Sequence, residues 1–407
     1  MSDHGCPGKA VSVSEYLRRI PKVELHAHLN GCIRHETLMD LAHERGATLS
    51  NRHFSAEPLH ENLASPPNNG EHHSMYNIMP RSLQNCFDIF AEIPACVNDL
   101  SALRRITQEA LEDFAAHHVA YLELRSTPKR LLRSHQDDQS QKVDKQVYIE
   151  TVLEGIRDFQ SKEKERFSHD PVLSSSRLPI VCNFIVAIDR SQSLEEATDT
   201  VHIAIDMFQR QQSRPSNLSP SIVGIDLGGN PTKNDFRTFQ TLFQKARQAG
   251  LKVTIHCGEI PSRDEAVAIL AFRPDRLGHA LLLPSSLQKV LEDTKIPVET
   301  CPTSNVMTLE LARSSNGNLV HGLSQHPCLA QWLQNNHPLS IGTDDPGVFH
   351  TNATKELVLL VNTFSLDPCA MAEKVADSVN YAFCNETLRQ EINAKMREIM
   401  KEIHHSS

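Results

Sequence analysis

The stretch "KVELHAHL" (22–29) is a strand-like run that closes on two histidines one residue apart. In a β-strand, residues i and i+2 point to the same side, so His26 and His28 project together. Two neutral imidazoles side by side make a poor core element but a good half of a metal site. Seven more short runs rich in Val, Ile and Leu follow along the chain. They are "VAYLELRS" (119–126), "IVCNFIVAID" (180–189), "SIVGIDLGG" (221–229), "KVTIHCGE" (252–259), "RLGHA" (276–280), "PVETCPTSN" (297–305) and "LSIGTDD" (339–345). Several are almost continuously apolar, as parallel strands buried on both faces must be. Helix-like segments separate them. In "FRTFQTLFQKARQAG" (236–250), Phe239, Leu242, Phe243 and Ala246 share one face before Gly250 ends the helix.

Eight strands alternating with helices predict an α/β fold, a (β/α)8 TIM barrel with helical insertions and C-terminal helices. Active residues of such a barrel sit at the C-terminal ends of its strands. The polar residues cluster there: "HAH", "RST", "AID", "LGGN", "HCGE", "GH", "TSN" and "TDD". An open doubly wound sheet is the second choice, but no Gly-rich phosphate fingerprint follows the first strand.

The 407 residues are 39% hydrophobic and 22% charged, a composition of globular proteins, and residues 1–407 are expected to form one domain with its core over 17–403. A net charge of −9 argues against a nucleic-acid or acidic-membrane binder. No segment reads as a signal peptide or a membrane span. Ten cysteines without a C-x-x-C pair suit reduced thiols and a cytoplasmic setting. No coiled coil is evident, so a monomer is expected.

The segment 50–74 is polar and Pro/Asn-rich and is expected as a flexible insertion, either a lid or disordered. Segments 133–142, 161–177 and 209–220 are expected as solvated loops, and 370–400 as helices packed after the barrel. The histidine pairs His72-His73, His117-His118 and His404-His405 are expected at the surface, because adjacent side chains diverge.

The fifth and eighth runs supply what the first lacks. His256 and Glu259 end one; Asp344 and Asp345 end the other. His26, His28, His256 and Asp344 would form a three-histidine, one-carboxylate site suited to zinc. A bridging carboxylated lysine, which two-metal barrels of this kind need after the fourth strand, has no counterpart before Lys233, so one ion is expected.

"KVELHAHLNG", "HCGE", "LGHA", "CPTSNV" and "GTDDPGVF", in this order, resemble the adenosine/AMP deaminase family of zinc aminohydrolases, from Leu17 to the last helix. The resemblance implies zinc ligation by His26, His28, His256 and Asp344. It makes Glu259 the acid that protonates the purine ring nitrogen beside the reacting carbon. It makes His279 and Asp345 the pair that orients and deprotonates the attacking water, and puts the Gly229 backbone N–H against the purine edge. Substrate would also touch His28, His256 and Asp345.

Adenosine deaminases of the family read "HLDG" where this chain reads "HLNG". Asn30 keeps the size of that aspartate but removes a charge that would oppose a 5′-phosphate. "YLELRSTPKR" (121–130) looks like the adenosine deaminase-like branch, whose members act on N6-methyl-AMP and related nucleoside monophosphates. Ser126, Thr127, Pro128 and Lys129 are then expected around a phosphate, and Asp189 around the ribose or a neighbouring basic group. The alternatives are an adenosine deaminase proper and a non-catalytic nucleotide-binding barrel.

Overall fold

The computed structural model describes residues 12–50, 81–138, 141–213 and 220–406. Eight parallel strands pair in sequence order: β1 (Lys22–His28), β2 (Val119–Ser126), β3 (Val181–Asp189), β4 (Ile222–Gly228), β5 (Lys252–Cys257), β6 (Arg276–His279), β7 (Val298–Thr300) and β8 (Leu339–Ile341). The sheet closes just beyond β8. Asp344 donates its backbone N–H to His26 O, and His28 donates to Asp344 O, each at 2.9 Å. This is the expected (β/α)8 barrel. Strand burial is nearly continuous because helices cover the outside and side chains fill the inside.

Buried charge, rather than branched aliphatics alone, fills the barrel axis. Glu299 on β7 accepts from His26 Nδ1 at 2.6 Å, from Arg125 Nη2 at 2.9 Å and from Thr254 Oγ1 at 2.9 Å, and also pairs with Arg276. Arg276 in turn reaches Glu123 at 2.6 Å. Burial opposes charge on Glu299, but Arg125 and Arg276 hold its carboxyl well below the usual range. At the opposite mouth, the buried Lys22 ammonium is tied to the carbonyls of Arg18, Ile20 and His117 at 2.9–3.0 Å.

Several expectations change. Residues 161–169 continue the helix Lys145–His169, and Pro171–Ser176 is helical too, so 161–177 is no loop. Lys, Glu and Arg are good helix formers, and the buried Glu163 pairs with Arg177 at 2.6 Å. Gln209 to Gln212 likewise end the helix Leu194–Gln212, before residues 214–219, which are not described. The strand expected to run to residue 305 stops at Thr300, because Pro302 starts the helix Pro302–Thr308.

His117 and His118 are half-buried rather than surface groups. They bond Thr354 Oγ1 and Arg19 O, and burial, with Lys22 nearby, pushes both down to about 4. His404, half-buried, stacks on Tyr16. The pair His72-His73, and the insertion 50–74 from residue 51 on, lie outside the described residues. The C-terminal stretch is helical as expected, over Pro368–Asp377 and Glu386–Ser406.

Candidate metal and deamination site

The C-terminal ends of the strands enclose one cavity. Its wall includes His28, Asn30, Ser126, Thr127, Lys129, Asp189, Gly229, His256, Glu259, His279, Asp344 and Asp345. Pro128 is buried between the wall residues Thr127 and Lys129 and is not itself part of that wall. Strand ends alone could not place all of these; unusual backbone does part of it. His279 and Asp344 both adopt φ of +59°, uncommon for residues other than glycine, and so turn inward where their strands stop. Gly31 leaves room for Asp345, whose Oδ1 would lie 1.7 Å from a Cβ at that position. Gly229, at φ +85°, faces Asp189 in the same way: a Cβ would approach its carboxylate to 2.7 Å.

Four ligand-type atoms converge. His28 Nε2 lies 3.4 Å from His26 Nε2, 3.1 Å from His256 Nε2 and 3.4 Å from Asp344 Oδ1, and His26 Nε2 lies 3.5 Å from the same oxygen. Zinc bonds of about 2.0–2.1 Å to four tetrahedral ligands require ligand separations of about 3.3 Å. The far nitrogens explain the inward aim. His26 Nδ1 bonds Glu299 at 2.6 Å, and His256 Nδ1 bonds Asp226 Oδ1 at 3.0 Å. With those hydrogens on Nδ1, both Nε2 lone pairs face the centre, an arrangement that a cation satisfies and a protein donor does not. Ser304 adds a 2.6 Å hydrogen bond to Asp344 Oδ2. His279 Nε2 is 3.8 Å from that oxygen and belongs to a wider grouping with His26, His256 and Asp344.

Electrostatics separate the carboxyls. Burial opposes charge on Asp344, but His26, His279 and His28 hold it well below the usual range. Burial and the adjacent Asp344 push Asp345 well above that range. Burial, with Asp344 adding, raises Glu259 as well, and its Oε2 is buried without a partner among the described residues. Burial pushes His279 down to about 3, keeping the imidazole neutral. A buried carboxyl whose pKa is raised and whose oxygen has no protein partner is placed to pass a proton to a ligand acceptor.

The sequence profile of the adenosine deaminase family matches residues 21–399. The chain belongs to the adenosine deaminase family. It is a hydrolytic deaminase of that metal-dependent family, with a His/Asp cluster at the expected strand ends. An N6-mAMP deaminase of Arabidopsis thaliana is 32% identical over 388 residues, covering 93% of this chain and 96% of its own. An N6-methyl-AMP deaminase of Homo sapiens is 30% identical over 402 residues, covering 96% and 97%. A solved structure of an ADAL–IMP complex matches with a TM-score of 0.75 at 30% identity, over 96% of this chain and 99% of that one.

Sequence reasoning missed the groups behind the site: Asp226, Glu299, Ser304 and Asn305. For Asp226 and Glu299 the signal was a charge inside a run otherwise suited to a buried strand; Ser304 and Asn305 stand in the helix that follows β7. It also missed Phe87 and Phe90, which the helix Leu83–Cys96 contributes to the cavity wall. Pro94 lies in the last turn of that helix, exposed and away from the cavity.

Proposed function

We propose that the chain removes the amine at the six-position of a purine nucleoside monophosphate, N6-methyl-AMP foremost, leaving IMP and methylamine. The observation that carries this reading is one shared cavity: Asn30, Ser126, Thr127 and Lys129 line it together with Glu259, His279 and Asp345. Among the described residues, no carboxylate lies within salt-bridge distance of the Lys129 ammonium, which leaves it available to an anion. Burial lowers its pKa while Asp189 opposes the shift. The names of the relatives and the IMP-bound neighbour support the same substrate class.

One zinc ion would be held by His26, His28, His256 and Asp344, and when bound it supplies the Lewis acidity that makes water nucleophilic at neutral pH. Glu259 gives its proton to the ring nitrogen beside the reacting carbon, which makes that carbon electrophilic. His279 and Asp345 hold the attacking water, and its proton passes within that pair. The proton taken from the water goes on to the amine nitrogen, the carbon–nitrogen bond breaks to release methylamine, and the hydroxyl proton of the tetrahedral carbon restores Glu259. Gly229 offers a backbone N–H on the cavity wall for the purine edge, and Asp189 serves the ribose, although it also caps Ser191 N at 2.7 Å. The reading includes a single-domain, monomeric, cytoplasmic enzyme. Among the described residues nine cysteines are free, as reduced thiols of that compartment would be, and no helix is long and apolar enough to cross a membrane.

The test is turnover of N6-methyl-AMP, AMP and adenosine by zinc-loaded and chelator-stripped protein. Preference for N6-methyl-AMP, lost on stripping and regained with zinc, is expected; preference for adenosine would refute the phosphate pocket. Lys129→Ala should then weaken use of the monophosphate about 10- to 100-fold, since it removes a hydrogen bond to a charged group of about 1.5–3 kcal/mol, and should affect the nucleoside little. Equal losses on both would remove Lys129 from the phosphate site.

A further inference from the structure

A relay of hydrogen bonds behind the site has a direction that can be read without seeing a single hydrogen. It begins at two groups that can only donate. The backbone N–H groups of Cys328 and Leu329 converge on His326 Nδ1 at 3.2 and 3.0 Å, so that nitrogen accepts. A neutral His326 must therefore carry its hydrogen on Nε2, which lies 3.3 Å from Asn305 Oδ1. With the amide oxygen turned to His326, the amide nitrogen faces the site. Asn305 Nδ2 lies 3.0 Å from His279 Nδ1 and donates to it. A neutral His279 whose Nδ1 accepts carries its own hydrogen on Nε2, directed into the cavity.

We propose that Asn305 and His326 are positioning residues that hold His279 as a hydrogen-bond donor from Nε2. The relay is built into the core. His326, Asn305 and His279 are all buried, and His326 packs edge-on against Trp332. Each ring uses one nitrogen as an acceptor, His326 Nδ1 towards two backbone N–H groups and His279 Nδ1 towards the Asn305 amide, so the contacts themselves require both rings to be neutral; burial also pushes His326 down to about 4.

Two consequences follow for the reaction proposed above, on which this inference rests for its catalytic part. A nitrogen already bearing a hydrogen does not take the proton of the attacking water, so His279 orients that water and is not its proton acceptor. The same hydrogen occupies the lone-pair position that metal ligation would need. His279 therefore stays outside the ligand set despite its distance of only 3.8 Å from Asp344.

The test is nitrogen NMR of zinc-loaded protein labelled with 15N-histidine, with the His279 signals identified by their loss in His279→Gln. A pyrrole-type Nε2 and a pyridine-type Nδ1 are expected; the reverse pattern overturns the inference. Asn305→Asp keeps the shape but accepts from both rings, and so places a hydrogen on His279 Nδ1. It should lower kcat about 10- to 100-fold with the KM for N6-methyl-AMP and the zinc content unchanged. His326→Phe fills the space without donating, frees the amide to turn, and should give a smaller fall of the same kind. Wild-type kcat in both variants overturns the positioning role. The spectrum reads the ring without any turnover. A wild-type protein inactive on N6-methyl-AMP would therefore sink the substrate reading and leave the ring assignment standing.

Discussion

Glu259 shows how much one residue's role depends on its surroundings. As the last letter of "HCGE" it is any carboxylate after a strand. In the fold it is buried, its pKa is raised by burial, and its Oε2 lacks a protein partner. Glu259→Gln preserves size and removes the transferable proton. It should leave zinc bound and lower turnover about 10²- to 10⁴-fold, the usual worth of a general acid. Metal analysis beside steady-state kinetics checks this, and retained turnover would take the acid role away. The meeting of His26, His28, His256 and Asp344 was legible at this scale because polar residues at strand ends share one mouth of the barrel, and their spacing is readable. Asn305 was not. It stood in "CPTSN" as one polar residue among several, and its meaning comes from His279 and His326, which lie 26 and 21 positions away.

Among elements, the helix Ala353–Phe364 is tied to the start of Pro302–Thr308 by a single buried carboxyl. Glu356 accepts from Thr303 N at 2.9 Å and also bonds the Thr351 hydroxyl. Burial raises its pKa from 4.5 to about 7. Between those values the folded chain keeps a proton that the unfolded chain has lost, so the Glu356 contribution is complete below 4.5 and is lost as pH rises to about 7. The difference corresponds to about 3 kcal/mol. Glu356→Gln, which cannot ionise, should flatten that part of the stability profile in urea unfolding at pH 4.5 and 7; an unchanged slope would show that Glu356 does not set it. Element boundaries were legible where hydrophobic period and caps agreed, as for β2 and Phe236–Gln248. They failed at 161–177, where charge was mistaken for a solvated loop, and at 302–305, where Pro302 begins a helix.

For the whole molecule, the barrel is organised around Glu299, which joins β1, β2, β5 and β6 through His26, Arg125, Thr254 and Arg276. Removing its charge leaves buried guanidinium groups short of compensation and loosens the ring orientation of His26, a proposed metal ligand. Glu299→Gln should cost about 3–5 kcal/mol of stability, as breaking a buried pair does. It should also weaken metal binding about 10- to 100-fold. Urea unfolding and a competitive metal titration read the two effects separately; wild-type values in both would show that the network carries neither load.

What the sequence by itself determined was the alternation of eight strands and helices, the strand ends where chemistry gathers, and the residue types capable of holding zinc and protonating a purine. Period and spacing are local properties, and the chain displays them without folding. Only the tertiary structure decided how those residues are held. Glu299 lies 273 positions from His26, and Asp226 lies 30 from His256. Lone-pair direction, carboxyl protonation and the hydrogen on His279 all follow from such contacts. They depend on burial and on which distant group faces which atom, and neither exists until the barrel closes.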